Sequence, residues 1–454
     1  MSESVANCCG DESPKGLLAR ASRHRRKVQH IYRIKNPIAQ ETADSKKLKE
    51  LFKGYKLVPY AGTSAESSHS LLRWYRMLAK LSPTNAACIN KKLTYAVGGK
   101  AQFVRAQDPE YDLKTEILPL SNTEIETYLS NIKEVFEFPD GGITAYHNCV
   151  GHEYMESGNA FVELAFTTVL GISKVSFRVL NFDHVLFVAT DPGESRKIAI
   201  SPIWDDEYLR KHEPRILPLF PVMLNDKGIE RTIFHLKNGS NEWYGRPPAE
   251  GADIYKYREV QDSLYVTRAS ANNFTGKVIL ETEDDDPNSN AVIDDAGSRE
   301  AGFDNFAAQF RENYTEEGDD PQSVVLTSRP HGARPMFAFQ IKPHTNESWY
   351  KETGAIAKYH ILQNHEVTPR FLGEDVSNGF SNDTYLSDYI LNVEPTIDKL
   401  RSTICNFTNR IFNEAWAMVG RLEMQQYSVT FSEPIRSQVD QYKAKQQQNV
   451  SPTV

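Results

Sequence analysis

The chain has 454 residues, 40% hydrophobic and 11% aromatic content, and a formal net charge of −8. That length fits about three domains or one elaborated domain, and the composition is ordinary for a folded soluble chain. No run approaches the roughly 20 apolar residues that span a bilayer, no signal-peptide core opens the chain, and the five cysteines include no CxxC pair, so neither a disulfide framework nor a zinc ribbon is indicated and a reducing compartment is the simplest reading.

Charge is strongly segregated. Residues 15–56 hold thirteen Lys/Arg against three Asp/Glu, whereas residues 281–321 hold fourteen Asp/Glu against two Arg. Two readings stand open: solvated segments, or surfaces facing two different partners, one of them nucleic acid.

Residues 1–60 read as a basic, weakly ordered arm without a sustained apolar stripe. From Ser68 the pattern turns helical, with Leu71, Tyr75, Leu78 and Leu81 on one face. Ser82-Pro83 restarts a helix as N-cap and first-turn proline, carrying Ala86, Ile89, Leu93 and Ala96 to Gly98-Gly99. Ser121 and Glu124 have capping-box spacing ahead of Ile125, Leu129, Ile132 and Phe136. A further helix over about 143–157 ends at Gly158. Short β segments follow at 160–166, 175–180, 184–190, 197–203 and 231–236. No βαβ rhythm appears, which argues against a doubly wound nucleotide fold.

Two helix-like segments, roughly 248–275 and 346–366, then bracket a compact acidic insert. Pro247 and Pro248 suit the first turn of the first helix. Val367-Thr368-Pro369 closes the second, because the residue before proline is pushed out of the α region. Tyr257, Val260, Leu264, Thr267, Ala271 and Phe274 form a seam at 3–4 spacing that would pack on a neighbour. The insert reads strand (277–281), acidic loop, helix (Phe303, Phe306, Phe310, Tyr314) and strands at 323–327 and 336–341, with a core too small to stand alone. The layout is a wall of two long helices with a small module between their far ends. After Gly373 comes a polar stretch, 374–385, and then the cleanest amphipathic helix, 396–419, with Ile397, Leu400, Ile404, Phe407, Ile411, Ala415 and Met418. The Gln-rich tail from Gln438 reads as frayed helix or disorder.

No catalytic, cofactor or metal site emerges. His147, Cys149 and His152 invite a metal reading, but a five-residue spacing puts the two histidines on different helix faces. His360 and His365 share that spacing. Nucleophile-elbow, Walker A and dinucleotide fingerprints are absent. The run Glu283-Asp284-Asp285-Asp286 could take a divalent cation, yet such runs are more often solvated loops. Val97-Gly98-Gly99-Lys100 reads as a turn into a strand at 102–104. Lys256, Arg258, Arg268, Lys351 and Lys358 read as scattered surface charge.

The order of parts resembles the portal proteins of long-tailed bacteriophages. The resemblance rests on Tyr244-Gly245-Arg246-Pro247-Pro248 opening a helix, an insert near 277–342, a second helix, Thr368-Pro369-Arg370-Phe371-Leu372-Gly373, a loop and a long helix. It covers about Ser68 to Met418. It implies an α+β, portal-like fold: an N-terminal arm (1–60), a helical and β wing (61–247), a first stem helix (248–276), a small α/β clip (277–342), a second stem helix (343–373), a tunnel loop (374–385), a long wing helix (386–420) and a short crown or frayed tail (421–454). In that reading Tyr257, Leu264, Ala271 and Phe274 pack the stem, Phe303, Phe306 and Phe310 form the clip core, and Ser377, Asn378, Gly379, Phe380, Ser381 and Asn382 line the channel. The resemblance further implies a dodecameric ring at one capsid vertex of the virion, assembled in the host cytoplasm. Double-stranded DNA would pass through it during packaging and ejection. Its partners would be the large terminase subunit, a head-completion adaptor and the major capsid protein, with no membrane, cofactor or catalysis. The short C-terminal region, the elaborated acidic loop and the basic arm depart from the pattern. The rival readings are a monomeric nucleic-acid-binding protein and a Mg-dependent nucleic-acid enzyme.

Overall fold

The computed structural model describes residues 56–60, 65–105, 118–139, 141–169, 171–189, 195–226, 228–239, 243–271, 278–283, 324–329, 347–374 and 382–450. In chain order the elements begin with β1 (Lys56–Val58), α1 (Ala65–Leu81), α2 (Pro83–Val97), β2 (Ala101–Arg105), β3 (Leu118–Pro119), α3 (Asn122–Val135), β4 (Phe136–Glu137) and α4 (Gly142–Ser157). A β-rich stretch follows: β5 (Asn159–Val169), β6 (Ile172–Leu180), β7 (Val185–Ala189), β8 (Lys197–Ile200), α5 (Asp206–Lys211), β9 (Arg215–Pro218), β10 (Leu224–Asp226) and β11 (Ile229–Lys237). Then come α6 (Asp253–Ala271), β12 (Val278–Glu283), β13 (Val324–Arg329), α7 (Glu347–Asn364), α8 (Asn382–Asp388), α9 (Glu394–Met418), β14 (Tyr427–Phe431) and α10 (Arg436–Val450). None of the described helices is long and apolar enough to cross a membrane.

The chain divides into two units. The first comprises residues 1–77, 92–248 and 397–454. Its sheets are a four-stranded one ordered β1-β7-β8-β9, a five-stranded one ordered β10-β11-β5-β6-β4, and a three-stranded one ordered β14-β2-β3. Every pairing in them is antiparallel except β4 with β6. One core cluster lies around Phe161, Phe182, Phe187, Trp204 and Tyr244. Another is aromatic: Phe136 lies 4.2 Å from Trp416 between ring centroids and 5.0 Å from Phe177.

Local signals explain much of this unit. Ser121 Oγ accepts the Glu124 N–H at 3.3 Å and the Glu124 carboxylate accepts the Ser121 N–H at 2.9 Å, completing the capping box. Gly158 ends α4 at φ 73°, its N–H donating to the Tyr154 carbonyl. Arg401 donates to the Tyr95 and Ala96 carbonyls at 2.9 and 3.0 Å, satisfying orphan acceptors in the last turn of α2.

Several expectations need correction. The buried face of α3 is Tyr128, Ile132 and Val135, with Ile125 and Leu129 only half-buried, because Tyr128 packs edge-on to Phe103 and beside Tyr427. Leu81 is exposed although it continues the α1 stripe. The strands β1, β3, β4, β9, β10 and β14 are not evident from the sequence; all are short, and their pairing is set by neighbours distant in sequence. Residues 427–431 and 436–450, read as crown or frayed tail, form β14 and α10.

The second unit comprises residues 78–91 and 249–396, so 78–91 clusters with the helix pair. Pro247 and Pro248 precede the first helix: a 3-10 turn, Glu250–Ala252, leads into α6 at Asp253. β12 and β13 pair in parallel from Val278↔Val324 to Glu283↔Arg329. The segment 382–418 is helical throughout, so Asn382 to Tyr385 lie in α8, inside the stretch read as loop. A π-turn, Tyr389–Val393, joins α8 to α9. Pro395 explains it: proline donates no hydrogen bond and its ring crowds the carbonyl four residues back, so Glu394 N–H reaches Tyr389 O instead.

Candidate functional site: an anchored lead-in and an antiparallel helix pair

The YGRPP motif is heavily tied into the first unit. Tyr244 Oη accepts the Phe187 N–H and donates to the Val58 carbonyl, each at 2.8 Å. Burial pushes this phenol's pKa well above its usual range. Tyr60 Oη donates to the Gly245 carbonyl at 3.0 Å, and Arg246 stands over the Tyr60 ring. Asn159 is the hub. Its Oδ1 accepts the Gly245 N–H at 2.7 Å and lies 3.0 Å from His235 Nε2; its Nδ2 donates to the Ser157 and Gly245 carbonyls at 2.9 and 3.1 Å. Only glycine fits where the backbones cross: a Cβ on Gly245 would sit 2.1 Å from Gly158 O, and one on Gly158 2.0 Å from Arg246 O.

Beyond Pro248 the chain enters the second unit, where α6 and α7 run antiparallel. Tyr255 stacks on His360 at 4.2 Å, and a Cβ on Gly251 would lie 2.5 Å from Asn364 Oδ1, so rising numbers on α6 meet falling numbers on α7. Lys256 and Val260 are buried on α6, after Ala252 in the turn before it, and Thr353, Ala357 and Ile361 on α7, all at four-residue spacing along one face. Lys256 is thus not surface charge: its Nζ donates to Ala249 O at 2.6 Å and Asp253 Oδ1 at 2.8 Å. Burial lifts the Asp253 carboxyl to about 6, against the opposing pull of Lys256. Glu259 is equally specific. Its carboxylate takes hydrogen bonds from Ser82 Oγ, Thr84 Oγ1 and Thr84 N–H, so it closes the N-terminus of α2.

The outward faces of the pair differ in character. Ile254 is 73% exposed and Tyr359 62%, and Val266 and Ile356 are also open to solvent. Of the stem-packing residues named from sequence, Tyr257 and Leu264 are half-buried and Ala271 is the last residue of α6. Phe274, Phe303, Phe306, Phe310, Ser377, Asn378, Gly379, Phe380 and Ser381 lie outside the described residues. Both flanks of 375–381 are held within the unit. Lys358 pairs with Glu374, and Thr368 Oγ1 donates to Asp388 Oδ2 at 2.5 Å.

The remaining candidates separate. His147 is buried with Nδ1 2.7 Å from Ile143 O, and burial drops its pKa to about 4. Cys149 is exposed, and His152 Nδ1 stands 3.7 Å from Glu156. His365 lies 2.8 Å from Asn85 Oδ1, apart from the stacked His360. Among the described residues no group of three His, Cys, Asp or Glu is arranged to hold a metal ion. A cleft of about 310 Å³ in the first unit is lined by Arg196, Phe220, His235, Phe407 and Arg410. His235 there is driven down to about 3 by burial, then by Lys237 and Arg196. Sequence reasoning missed Asn159, Lys256 and Glu259. The first sits directly after a helix-ending glycine, Lys256 reads as scattered surface charge, and Glu259 lies off the apolar seam of its helix, so no local pattern marks them.

No protein-family model matches the chain, and no curated protein matches it. Among solved structures it is similar to a chain from the neck of an empty gene transfer agent particle computed with C6 symmetry: TM-score 0.46, 14% identity, covering 84% of this chain and 91% of that one. A chain from the virion of a native gene transfer agent particle is similar at TM-score 0.44 and 12% identity, with the same coverage.

Proposed function

We propose that this chain is the portal of a tailed phage: a ring of identical subunits at one capsid vertex through which double-stranded DNA is packaged and ejected. The observation that carries the reading is the antiparallel pair α6–α7, whose outward faces expose Ile254, Val266, Ile356 and Tyr359. Exposed large apolar side chains on both helices of a pair offer surface that a neighbouring copy can cover. Burying each is worth about 1.5–3 kcal/mol, enough for neighbouring copies to complete the wall. The parallel β12–β13 pair between α6 and α7 in sequence supports the clip assignment. The ring is dodecameric in this reading, docks a terminase motor and later a head-completion adaptor, and contacts the major capsid protein. It needs no catalytic centre, and the loop beginning after Glu374 faces the DNA.

Negative-stain imaging with mass photometry of the purified chain tests this. Rings of about a dozen copies with a central hole are the expected result. A chain that stays monomeric at micromolar concentration sinks the reading and leaves the monomeric DNA-binding alternative.

A further inference from the structure

The five-stranded sheet has two unlike faces. One presents Leu164, Val175, Phe177 and Phe234 and packs into the aromatic core, with Phe177 5.4 Å from Phe412. The opposite face starts with Phe161, Leu180 and His235 in register, and it carries Ile233 opposite Glu163 and Ile229 opposite Thr167 farther along. At its other end the register sets Glu163 beside Arg178 on β6, and Ala165 between Ser176 on β6 and Arg231 on β11. Paired residues share a face. β9 brings a third guanidinium: Arg215 Nη2 lies 2.6 Å from Glu163 Oε2, while Arg231 Nη1 lies 2.8 Å from Glu163 Oε1.

Glu163 is 2% exposed, and each of its oxygens is taken by one arginine. It therefore holds two guanidinium groups in fixed positions while Arg178, exposed, stands opposite it. Asp226, in register with Ile229, lies on the same face, so three guanidiniums face two carboxylates, a surplus of one positive charge. The next cation along, Lys174, pairs with Glu137 at 2.9 Å and adds none. Arginine stays charged at all working pH, and an arginine fixed by one N–H keeps its other donors for a ligand.

We propose that this end of the sheet is a phosphate-binding face that holds duplex DNA by its backbone. The paired positions around the arginines, Ala165, Ser176, Thr167, Ile229, Ile233 and Leu224, supply no aromatic ring for stacking. Charge and guanidinium donors fit a repeating phosphodiester, and contacts to phosphate carry no sequence information. An acidic protein segment would share the charge but gains specificity from pockets for its side chains, which this row does not offer. The inference rests on the portal reading for the nearness of DNA; the chemistry of the face does not depend on ring formation.

The test is binding of a fluorescent duplex of about 30 base pairs to the full chain across a salt series. Arg178→Gln removes an exposed side chain and should leave the melting temperature unchanged. It should weaken binding about three- to tenfold near 0.15 M salt and reduce the log–log salt slope by about 0.9 per lost phosphate contact. Arg178→Lys should restore most of the slope. Unchanged affinity and slope in Arg178→Gln overturn the proposal, as does a loss confined to a polyglutamate peptide probe. Mass photometry of the same samples separates the two ideas. Rings whose DNA binding ignores Arg178 refute this face alone, whereas Arg178-dependent binding by a monomer refutes the ring alone.

Discussion

The crossing of the YGRPP segment with the start of β5 and the outward faces of α6 and α7 solve opposite problems. At the crossing, two backbones touch through Gly158 and Gly245, and one asparagine side chain closes four polar contacts. Both polar atoms of the Asn159 amide are engaged within the fold. On the helix pair the inner stripe is satisfied, while Ile254, Ile356 and Tyr359 remain in water. A chain that only had to be stable alone would gain by making those three polar. The contrast teaches where this molecule places its specificity: inward at the crossing, outward on the helix pair.

The crossing should therefore be the most fragile point to substitution. Gly245→Ala puts a Cβ 2.1 Å from a backbone oxygen, which no rotamer change relieves. A loss of about 4 kcal/mol or more is expected, the upper range for single substitutions. Thermal unfolding should show a drop of many degrees, or no folded protein. A near-wild-type melt would mean that the two backbones are not in contact. Asn159→Ala should come next. It strands the Gly245 N–H and the His235 ring nitrogen in a buried place, at about 1–3 kcal/mol for each unsatisfied group. Urea unfolding should record a loss of about 3 kcal/mol with an unchanged m-value.

A weaker, conditional effect belongs to the buried titratable groups of the same unit. Burial holds His147 near 4 and His235 near 3, so both are neutral in the fold, while the unfolded chain takes up protons near 6.5. Their contribution is present above pH 6.5 and is lost as pH falls toward 4, at about 1.4 kcal/mol for each tenfold change in proton affinity between the folded and unfolded chain. Glu153 acts in the opposite sense. Burial raises it to about 7 despite its bidentate pair with Arg76 at 3.0 Å. Its contribution is present below about pH 4.5 and is lost as pH rises through 7. His147→Met should accordingly melt like wild type at pH 7.5 and above it at pH 4.5. Equal melting temperatures at both values would mean His147 is solvated or already charged.

How much of this is legible in the sequence follows from the range of each interaction. The stripe Ile397, Leu400, Ile404, Phe407 and Ile411 is fully buried on α9 as its period demands, and the Ser121 capping box is a four-residue signal. The joint is legible only as a motif. Tyr244-Gly245 stands out in the sequence, but Asn159, which holds it, is 86 residues away and looks like any loop asparagine. Glu259 reads as helix surface until Ser82 and Thr84 arrive from 175 or more residues upstream. The short strands depend on their partners in the same way, since β-propensity expresses the neighbourhood as much as the residue.

The smallest effect on the isolated subunit belongs to the outward face of the helix pair, and there the comparison is sharpest. Ile356 and Tyr359 are three residues apart on α7 and share a face away from the buried Thr353–Ala357–Ile361 stripe. Replacing both with glutamate removes no buried contact and creates no cavity, so surface-level changes of about ±0.5 kcal/mol in unfolding free energy are expected. Assembly should respond differently. At a subunit interface the same two charges would have to be desolvated without partners, at several kcal/mol for each copy. The expected outcome is a monomer that melts like wild type and never closes a ring, read by mass photometry and thermal unfolding on one sample. A double variant that forms full rings would move the interface off this face, and one that unfolds would mean the face is already buried within the chain.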